Sequence, residues 1–180
     1  YRRELLSRLH LDFSCQSPQI DETPLDGEKP QAYVQRLARE KASKIAQEHP
    51  QAWVIGSDQC AVLKHKILGK PVTLERAKSQ LLACSGQEVS FLTAYCLLVP
   101  QKPSDIAIDI TRVRFRSISE SEIERYLATE DVLSCAGSFK VEALGVSLFE
   151  AVESTDPTAL IGLPLIGLCK QLRSAGAQVP

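Results

Sequence analysis

The stretch Val54-Ile55-Gly56-Ser57-Asp58-Gln59 predicts a sheet protein and places an acid within it. Its first two residues belong to an apolar, β-branched and aromatic run that is typical of a buried strand. The Gly-Ser pair predicts that this strand ends there, so that Asp58 lies in a loop at the rim of a sheet, where ligands of α/β proteins bind. An aspartate in such a place also serves as a turn former or a helix cap, and the spacing alone leaves both interpretations open.

A lysine follows this acid a few residues later. Lys70 lies between Gly69 and Pro71, which bend and stiffen the chain at that point. An acid and a base on one predicted hairpin indicate metal-assisted chemistry on an anion.

Length, charge and cysteine usage limit the class of protein. With 180 residues and 44% hydrophobic content, the chain is long enough for one domain, or two tightly joined lobes, with a hydrophobic core. A net charge of −1 gives no overall field for a nucleic acid polymer, so we expect a small anionic ligand instead. The six cysteines lie far apart without a C-x-x-C pair, which favours reduced, buried side chains over a zinc site.

The sequence contains no recognisable targeting signal. The longest apolar run, residues 160–169, is too short to span a bilayer, and a signal peptide is not recognisable, which predicts a cytoplasmic protein without a membrane partner. The chain has no Met and opens at Tyr1 on a predicted helix, so we expect that residues preceding Tyr1 are missing.

Two arginines open the predicted helix over residues 2–9. Arg2 and Arg3 lie in its first turn, which is the unfavourable end for cations because the helix dipole is positive there. Guanidinium groups and free backbone N–H groups at a helix start can together bind an anion. An ordinary solvated helix face is the alternative, and the sequence alone does not choose between the two.

Two acids lie in a turn-rich loop between this helix and the buried strand. Alternation over residues 11–16 predicts a short strand, and Asp21 and Glu22 follow it. Their carboxylates are suited to Mg²⁺, which takes few protein ligands when phosphates supply the rest. Taken alone, however, solvation of the loop is the more common explanation for such acids.

The rest of the chain interleaves helices with strands. The clearest helix, Pro30–Glu48, carries Lys41 between two alanines that permit a close approach, and Ser119 with Glu122 predicts a capping box. The further predicted elements are helices over residues 74–84, 121–128 and 163–176, and strands over residues 89–99, 106–118 and 146–152. This alternation is typical of an α/β or α+β fold with a mixed sheet.

Taken together, eight stretches of the chain resemble the Maf family of nucleoside triphosphate pyrophosphatases. Their order and spacing carry the resemblance, since no single stretch is specific. The stretches are Tyr1-Arg2-Arg3, Asp21-Glu22-Thr23-Pro24, residues 38–42, Gly56-Ser57-Asp58-Gln59, Leu68-Gly69-Lys70-Pro71, Ser85-Gly86, Ala136-Gly137-Ser138-Phe139 and Gly162-Leu163-Pro164-Leu165.

Two positions resemble the YceF-like branch of this family, which acts on 7-methylguanosine triphosphate. They are Gln59, directly after Asp58, and Glu142, at the end of a Ser-Phe-Lys-x-Glu stretch. The sister branch, for dTTP and UTP, has Thr and Gln at these positions. The family's opening Ser-x-Ser-Pro segment is absent here, and Tyr1 stands where the branch often carries Trp.

The resemblance implies an α/β fold similar to that of inosine triphosphate pyrophosphatase, with a mixed twisted sheet flanked by helices. It implies a single domain over residues 1–180 and an active site in a cleft between two lobes. It also implies a homodimer and a divalent metal cofactor, Mg²⁺ or Mn²⁺.

Roles for the candidate residues follow from the same resemblance. Asp58 would be the general base or metal-orienting acid that activates water against the α-phosphorus, and Glu22 would be the second metal ligand. The phosphate-binding residues would be Arg2, Arg3, Lys41 and Lys70. The residues that set substrate specificity would be Tyr1, Gln59 and Glu142.

A positively charged base gives these specificity residues a physical rationale. N7-methylguanine carries a positive charge, so a carboxylate at Glu142 would attract it, and Tyr1 would stack on the cation. The products would be a nucleoside monophosphate and pyrophosphate.

Other functions remain open on the sequence. The first is the same reaction on dTTP, UTP or another modified nucleotide. The second is a nucleotide-binding regulator, for instance of cell division, in which hydrolysis is incidental. A structural domain without a ligand is the third.

Overall fold

Helices and strands alternate along the whole chain, and the computed structural model describes all 180 residues. The α/β class and the flanking helices are confirmed. The elements are α1 (Arg2–Ser7), α2 (Pro30–Glu48), β1 (Val54–Leu63), β2 (Lys66–Leu68), α3 (Leu74–Cys84), β3 (Glu88–Leu98), β4 (Asp105–Phe115), α4 (Glu120–Thr129), β5 (Phe149–Glu153) and α5 (Leu165–Ala175).

The five strands form one sheet in the order β2-β1-β3-β4-β5. The sheet is antiparallel, with Ala61 opposite Leu68 in the first pair and Arg112 opposite Glu153 in the last. The predicted mixed sheet is therefore corrected in this respect. Short links join β1 to β2 and β3 to β4, and such links return the chain antiparallel, whereas a parallel neighbour needs a long crossover.

Strand β1 does not end at its glycine. It continues through Gly56 and Ser57 to Leu63, so Asp58 lies in the middle of a strand and not in a loop at the rim. A Cβ at Gly56 would lie 2.3 Å from the carbonyl oxygen of Ala38 on α2. The glycine is thus required for close packing of a helix on the strand, and the prediction of a loop there is wrong.

Residues 11–16 form no strand, contrary to the prediction from their alternation. Most of this segment is exposed, and it has no buried apolar face to hold it against a sheet. Gln16 contacts the end of α2, where its side chain bonds to Glu48 and His49 at 2.8 and 3.0 Å.

The chain divides into two compact units, whose segments alternate along the sequence. Unit 1 comprises Tyr1–Gln59, Thr93–Asp109 and Thr155–Pro180, and unit 2 comprises Cys60–Leu92 and Ile110–Ser154. The single domain and the cleft implied by the resemblance stay predictions.

Each unit has its own core. In unit 1, apolar side chains pack around α5, namely Leu5, Tyr95, Leu97, Leu163, Leu165, Leu168, Leu172 and Val179. In unit 2, four phenylalanines pack edge to face, with ring centroids between 4.9 and 5.5 Å apart. They are Phe91, Phe115, Phe139 and Phe149. Such pairs add about 0.5–1.5 kcal/mol each beyond the area that they bury.

All six cysteines are free thiols. Cys60, Cys84 and Cys96 are buried as predicted, whereas Cys15 is exposed. No helix is both long and apolar enough to span a bilayer.

Candidate active site

Helix α2 and strand β1 bring a lysine against the central aspartate. Gly56 and Asp58 are two residues apart on β1 and therefore face the same side, toward α2. Because Gly56 lets the backbone of α2 approach, Lys41 reaches Asp58, with 2.6 Å between its Nζ and Oδ1. The two alanines near Lys41 predict that another group approaches the helix closely, and in the structure that group is strand β1.

Lys41 also binds a second carboxylate. Its Nζ lies 2.7 Å from Oε1 of Glu22, which belongs to the irregular segment before α2. The side chains of Lys41 and Asp58 are 17% and 11% exposed, while that of Glu22 is 51% exposed. Three of the predicted site residues therefore form one cluster, with one cation between two acids.

Burial and charge act in opposite directions on Asp58. Desolvation raises the pKa of this carboxyl group, and Glu22 adds to the rise. The hydrogen bond and charge of Lys41, followed by the charge of Arg2, lower the pKa without cancelling the rise. Asp58 is therefore a stronger base than an exposed aspartate once it is ionised.

Arg2 lies within electrostatic range of this cluster. Its Nε donates a hydrogen bond of 2.8 Å to the carbonyl oxygen of Gly162, which also accepts a bond from the Ser57 hydroxyl at 3.1 Å. Protein atoms crowd around the guanidinium although solvent reaches the residue, and this desolvation lowers the pKa of Arg2. The charges of Asp58 and Glu22 oppose that shift.

Gln59 is engaged with the protein itself. Its Nε2 lies 2.8 Å from the Thr93 hydroxyl, and 3.0 and 3.1 Å from the carbonyl oxygens of Ala159 and Leu160. An amide nitrogen has only two hydrogens to donate, so these three acceptors saturate it. In this structure Gln59 ties β1 to β3 and to the segment before α5, and its role in specificity stays a prediction.

The remaining candidates are exposed. Tyr1 is 61% exposed, and Arg3 is exposed beside it on α1. Lys70 and Glu142 are exposed in loops of unit 2. Accessible cations and acids suit contacts with a ligand, but the roles of these residues also stay predictions.

Comparison with models of known protein families places nearly the whole chain in one family. The model of the family described as "Maf-like protein" matches residues 1–175. The chain belongs to the Maf family. The resemblance of the eight stretches is thus confirmed.

Several curated relatives in this family carry the name "7-methyl-GTP pyrophosphatase". One from Xanthomonas campestris pv. campestris (strain 8004) is 55% identical over 180 residues, which are 100% of this chain and 94% of the relative. One from Pseudomonas putida is 54% identical over 182 residues, with 100% and 94% covered. One from Alcanivorax borkumensis is 50% identical over 181 residues, with 100% and 92% covered.

The two acids of the cluster fit the divalent metal that the Maf resemblance implies. No group of three or more His, Cys, Asp or Glu side chains is arranged to hold an ion. Mg²⁺ commonly takes one or two protein carboxylates and completes its shell with phosphate oxygens and water. Asp58 and Glu22 therefore offer the number of protein carboxylates that such an ion takes when phosphates complete its shell.

Sequence reasoning missed three side chains that hold the loops of the exposed candidates. The Gln80 amide donates to the Gly69 carbonyl at 3.0 Å, directly before Lys70. Tyr126 and Glu130 contact the loop that carries Glu142. Tyr126 lies in the last turn of α4 and Glu130 caps that helix, and neither position carries a sequence signal that points to a distant loop.

Proposed function

We propose that this Maf-family chain hydrolyses 7-methyl-GTP to 7-methyl-GMP and pyrophosphate and so removes a modified nucleotide from the pool. The relatives of that name, which match the full chain at 50–55% identity, support the substrate. The observation that carries the chemistry is the Lys41 ammonium held between the carboxylates of Asp58 and Glu22.

Asp58 is the group that activates water in this proposal. Its Oδ1 bonds to Lys41, so we assign Oδ2 to the water. The water attacks the α-phosphorus as its proton passes to Asp58, the α–β phosphoanhydride breaks, and pyrophosphate leaves. General base catalysis of this kind contributes about 10²–10⁴-fold.

The cations supply the charge stabilisation that phosphoryl chemistry demands. A triphosphate brings several negative charges, and catalysis of its hydrolysis is mostly positioning and neutralisation. Lys41 and Arg2 lie at the acid cluster, and Arg3 and Lys70 are the further phosphate-binding residues of the proposal. A divalent ion at Asp58 and Glu22, Mg²⁺ or Mn²⁺, would add positive charge beside the phosphates.

The positive charge of N7-methylguanine is the basis of substrate choice. Glu142 is exposed and offers a carboxylate that attracts this cation. Tyr1 offers an accessible ring for stacking, which is worth about 0.5–2 kcal/mol. Gln59 supports the site from β1 through its bonds to Thr93 and to the segment before α5.

A substrate panel tests this function. Pyrophosphate release is measured from 7-methyl-GTP, GTP, dTTP and UTP with Mg²⁺ or Mn²⁺. A preference for 7-methyl-GTP supports the proposal, whereas a preference for dTTP or UTP keeps the reaction but refutes the substrate. Binding without turnover of any of the four would favour a nucleotide-binding regulator.

The setting of the enzyme is also part of the proposal. Six free cysteines suit the reducing cytoplasm, and a net charge of −1 gives no field for a nucleic acid polymer. The family resemblance supports a homodimer without a membrane partner, which sedimentation of the purified chain tests.

A further inference from the structure

We propose that Tyr126 and Glu130 are positioning residues that fix the loop carrying Glu142 and thereby set the preference for a positively charged base. This inference rests on the proposed function, because it assigns a purpose to the loop through Glu142. It goes beyond that function by naming side chains that touch neither the phosphates nor the base.

The loop over residues 140–145 is closed on itself. The carbonyl oxygen of Lys140 accepts hydrogen bonds from the backbone N–H groups of Ala143 and Gly145, at 3.3 and 3.0 Å. A Cβ at Gly145 would lie 2.2 Å from that same oxygen, so only glycine permits the neck of the loop to close. Glu142 projects from this closed loop and is exposed.

Tyr126 in the last turn of α4 and Glu130, the residue that caps this helix, hold both ends of the loop. The hydroxyl oxygen of Tyr126 accepts a hydrogen bond from the backbone N–H of Lys140 at 3.2 Å. The Oε1 of Glu130 accepts one from the backbone N–H of Leu144 at 3.0 Å. Glu130 is the C-cap residue of α4, and its backbone N–H donates a hydrogen bond to the Tyr126 carbonyl oxygen at 3.0 Å. The C-terminal end of this one helix therefore determines where Glu142 is presented.

The two anchors differ in burial and charge. Tyr126 is 3% exposed and belongs to the core, and burial raises its pKa to about 12. Its hydroxyl is therefore neutral under working conditions, and the bond to Lys140 does not depend on pH. Glu130 is half-buried, and its second carboxylate oxygen lies 4.0 Å from Nζ of Lys140.

A carboxylate discriminates between bases only if it is held in place. A side chain on a loose loop loses part of its interaction energy to the ordering of that loop. Loosening the loop should weaken recognition of the base and leave the chemistry at Asp58 unchanged. We therefore expect kcat/KM to fall for 7-methyl-GTP but not for GTP.

Four variants in α4 and at its C-cap test this inference in the full chain. Tyr126→Phe keeps the ring but removes the acceptor for Lys140, and Glu130→Ala removes the acceptor for Leu144. Glu130→Gln keeps an oxygen acceptor and should rescue the function. Glu124→Ala, on the same helix but paired with Lys78, is the matched control for the lost charge.

The readout is the ratio of kcat/KM for 7-methyl-GTP to that for GTP. Loss of one anchoring hydrogen bond should lower this ratio by about tenfold, because a tenfold change corresponds to the energy of about one such bond. The decrease should fall on 7-methyl-GTP, with GTP turnover unchanged and the control at wild-type values. Equal losses on both substrates would show a merely structural role and overturn the inference.

A double-mutant cycle with Glu142→Gln separates this inference from the proposed function. If Tyr126 acts through Glu142, Tyr126→Phe should change the ratio in the wild-type chain but not in the Glu142→Gln background. An equal effect in both backgrounds would overturn the positioning role alone. A wild-type chain without preference for 7-methyl-GTP would overturn both the proposed function and this inference.

Discussion

Lys41 joins two carboxylates with a single ammonium group, and this arrangement determines how the central acid titrates. Burial raises the pKa of Asp58, and Lys41 is the largest influence against that rise. In the proposed mechanism Asp58 acts in its ionised form, so activity should be lost as the pH falls through its raised pKa. The proposal therefore assigns the acidic limb of the pH profile to Asp58.

Removal of the lysine should move that limb. In Lys41→Met the carboxyl group loses its cation while Glu22 remains nearby, so the pKa of Asp58 should rise and the acidic limb should shift to higher pH. We expect kcat/KM at its optimum to fall by about 10²–10³-fold, as for other charge-stabilising groups. The measurement is kcat/KM for 7-methyl-GTP as a function of pH.

Lys44→Met is the matched control for this variant. Lys44 lies on the same helix and is exposed, and its replacement changes the net charge equally. It should retain the wild-type profile. An unshifted acidic limb in Lys41→Met would contradict the assignment of that limb to Asp58.

At the scale of elements, the contact between α2 and β1 assembles the site. In Gly56→Ala the new methyl group would lie 2.3 Å from the Ala38 carbonyl oxygen and 2.8 Å from the Ala42 nitrogen, both backbone atoms. The helix must move away from the strand, and overpacking of this kind costs about 1–3 kcal/mol of unfolding free energy. The same movement should separate Lys41 from Asp58 and lower kcat.

Denaturant unfolding and steady-state kinetics together measure this effect. Gly69→Ala is the comparison for stability, since a Cβ there meets nothing within 4 Å. Its unfolding free energy should stay close to that of the wild type. A Gly56→Ala chain with unchanged stability and unchanged kcat would show that the close contact does not position the acid.

The helices and strands also show which parts of the fold can be predicted from the sequence. Helices α2 and α3 have the predicted bounds, and the Ser119–Glu122 capping box forms as expected, because periodicity and caps are local properties. A glycine required for packing has the same sequence signature as one in a turn, so the sequence predicts a loop at Gly56 where β1 in fact continues. The predicted strand over residues 146–152 forms only over Phe149–Glu153, after a short 3₁₀ helix.

The site was harder to predict than the elements. The identity of the candidates came from resemblance to a family, but their partners depend on distant segments. The contact between Glu22 and Lys41 joins an irregular loop to a helix, and no periodic pattern of hydrophobic residues in the sequence predicts it. Two of the three hydrogen-bond acceptors of the Gln59 amide are the carbonyl oxygens of Ala159 and Leu160, which lie 100 and 101 positions further along the chain.

At the scale of the whole molecule, metal and nucleotide should stabilise the chain together. The cluster offers two carboxylates already paired with Lys41, so Mg²⁺ alone should raise Tm little. A non-hydrolysable 7-methyl-GTP analogue at about 100 times its Kd should add about 2.7 kcal/mol, and each kcal/mol raises Tm by roughly 2–4 °C for a chain of this size.

Thermal unfolding with each ligand alone and with both tests this coupling. The shift with analogue and Mg²⁺ together should exceed the sum of the separate shifts, and EDTA should abolish the excess. A large shift with Mg²⁺ alone would instead indicate a metal ion that binds without the nucleotide and would contradict this coupling.

The position of the new oxygen atom tests the central claim most directly. In the proposed mechanism, Asp58 activates water against the α-phosphorus of 7-methyl-GTP. Hydrolysis in water enriched in oxygen-18 should place the label in 7-methyl-GMP and none in pyrophosphate, and Asp58→Asn should lower the rate by about 10²–10⁴-fold. Label in the pyrophosphate, release of single phosphates, or an unchanged rate in Asp58→Asn would contradict the account.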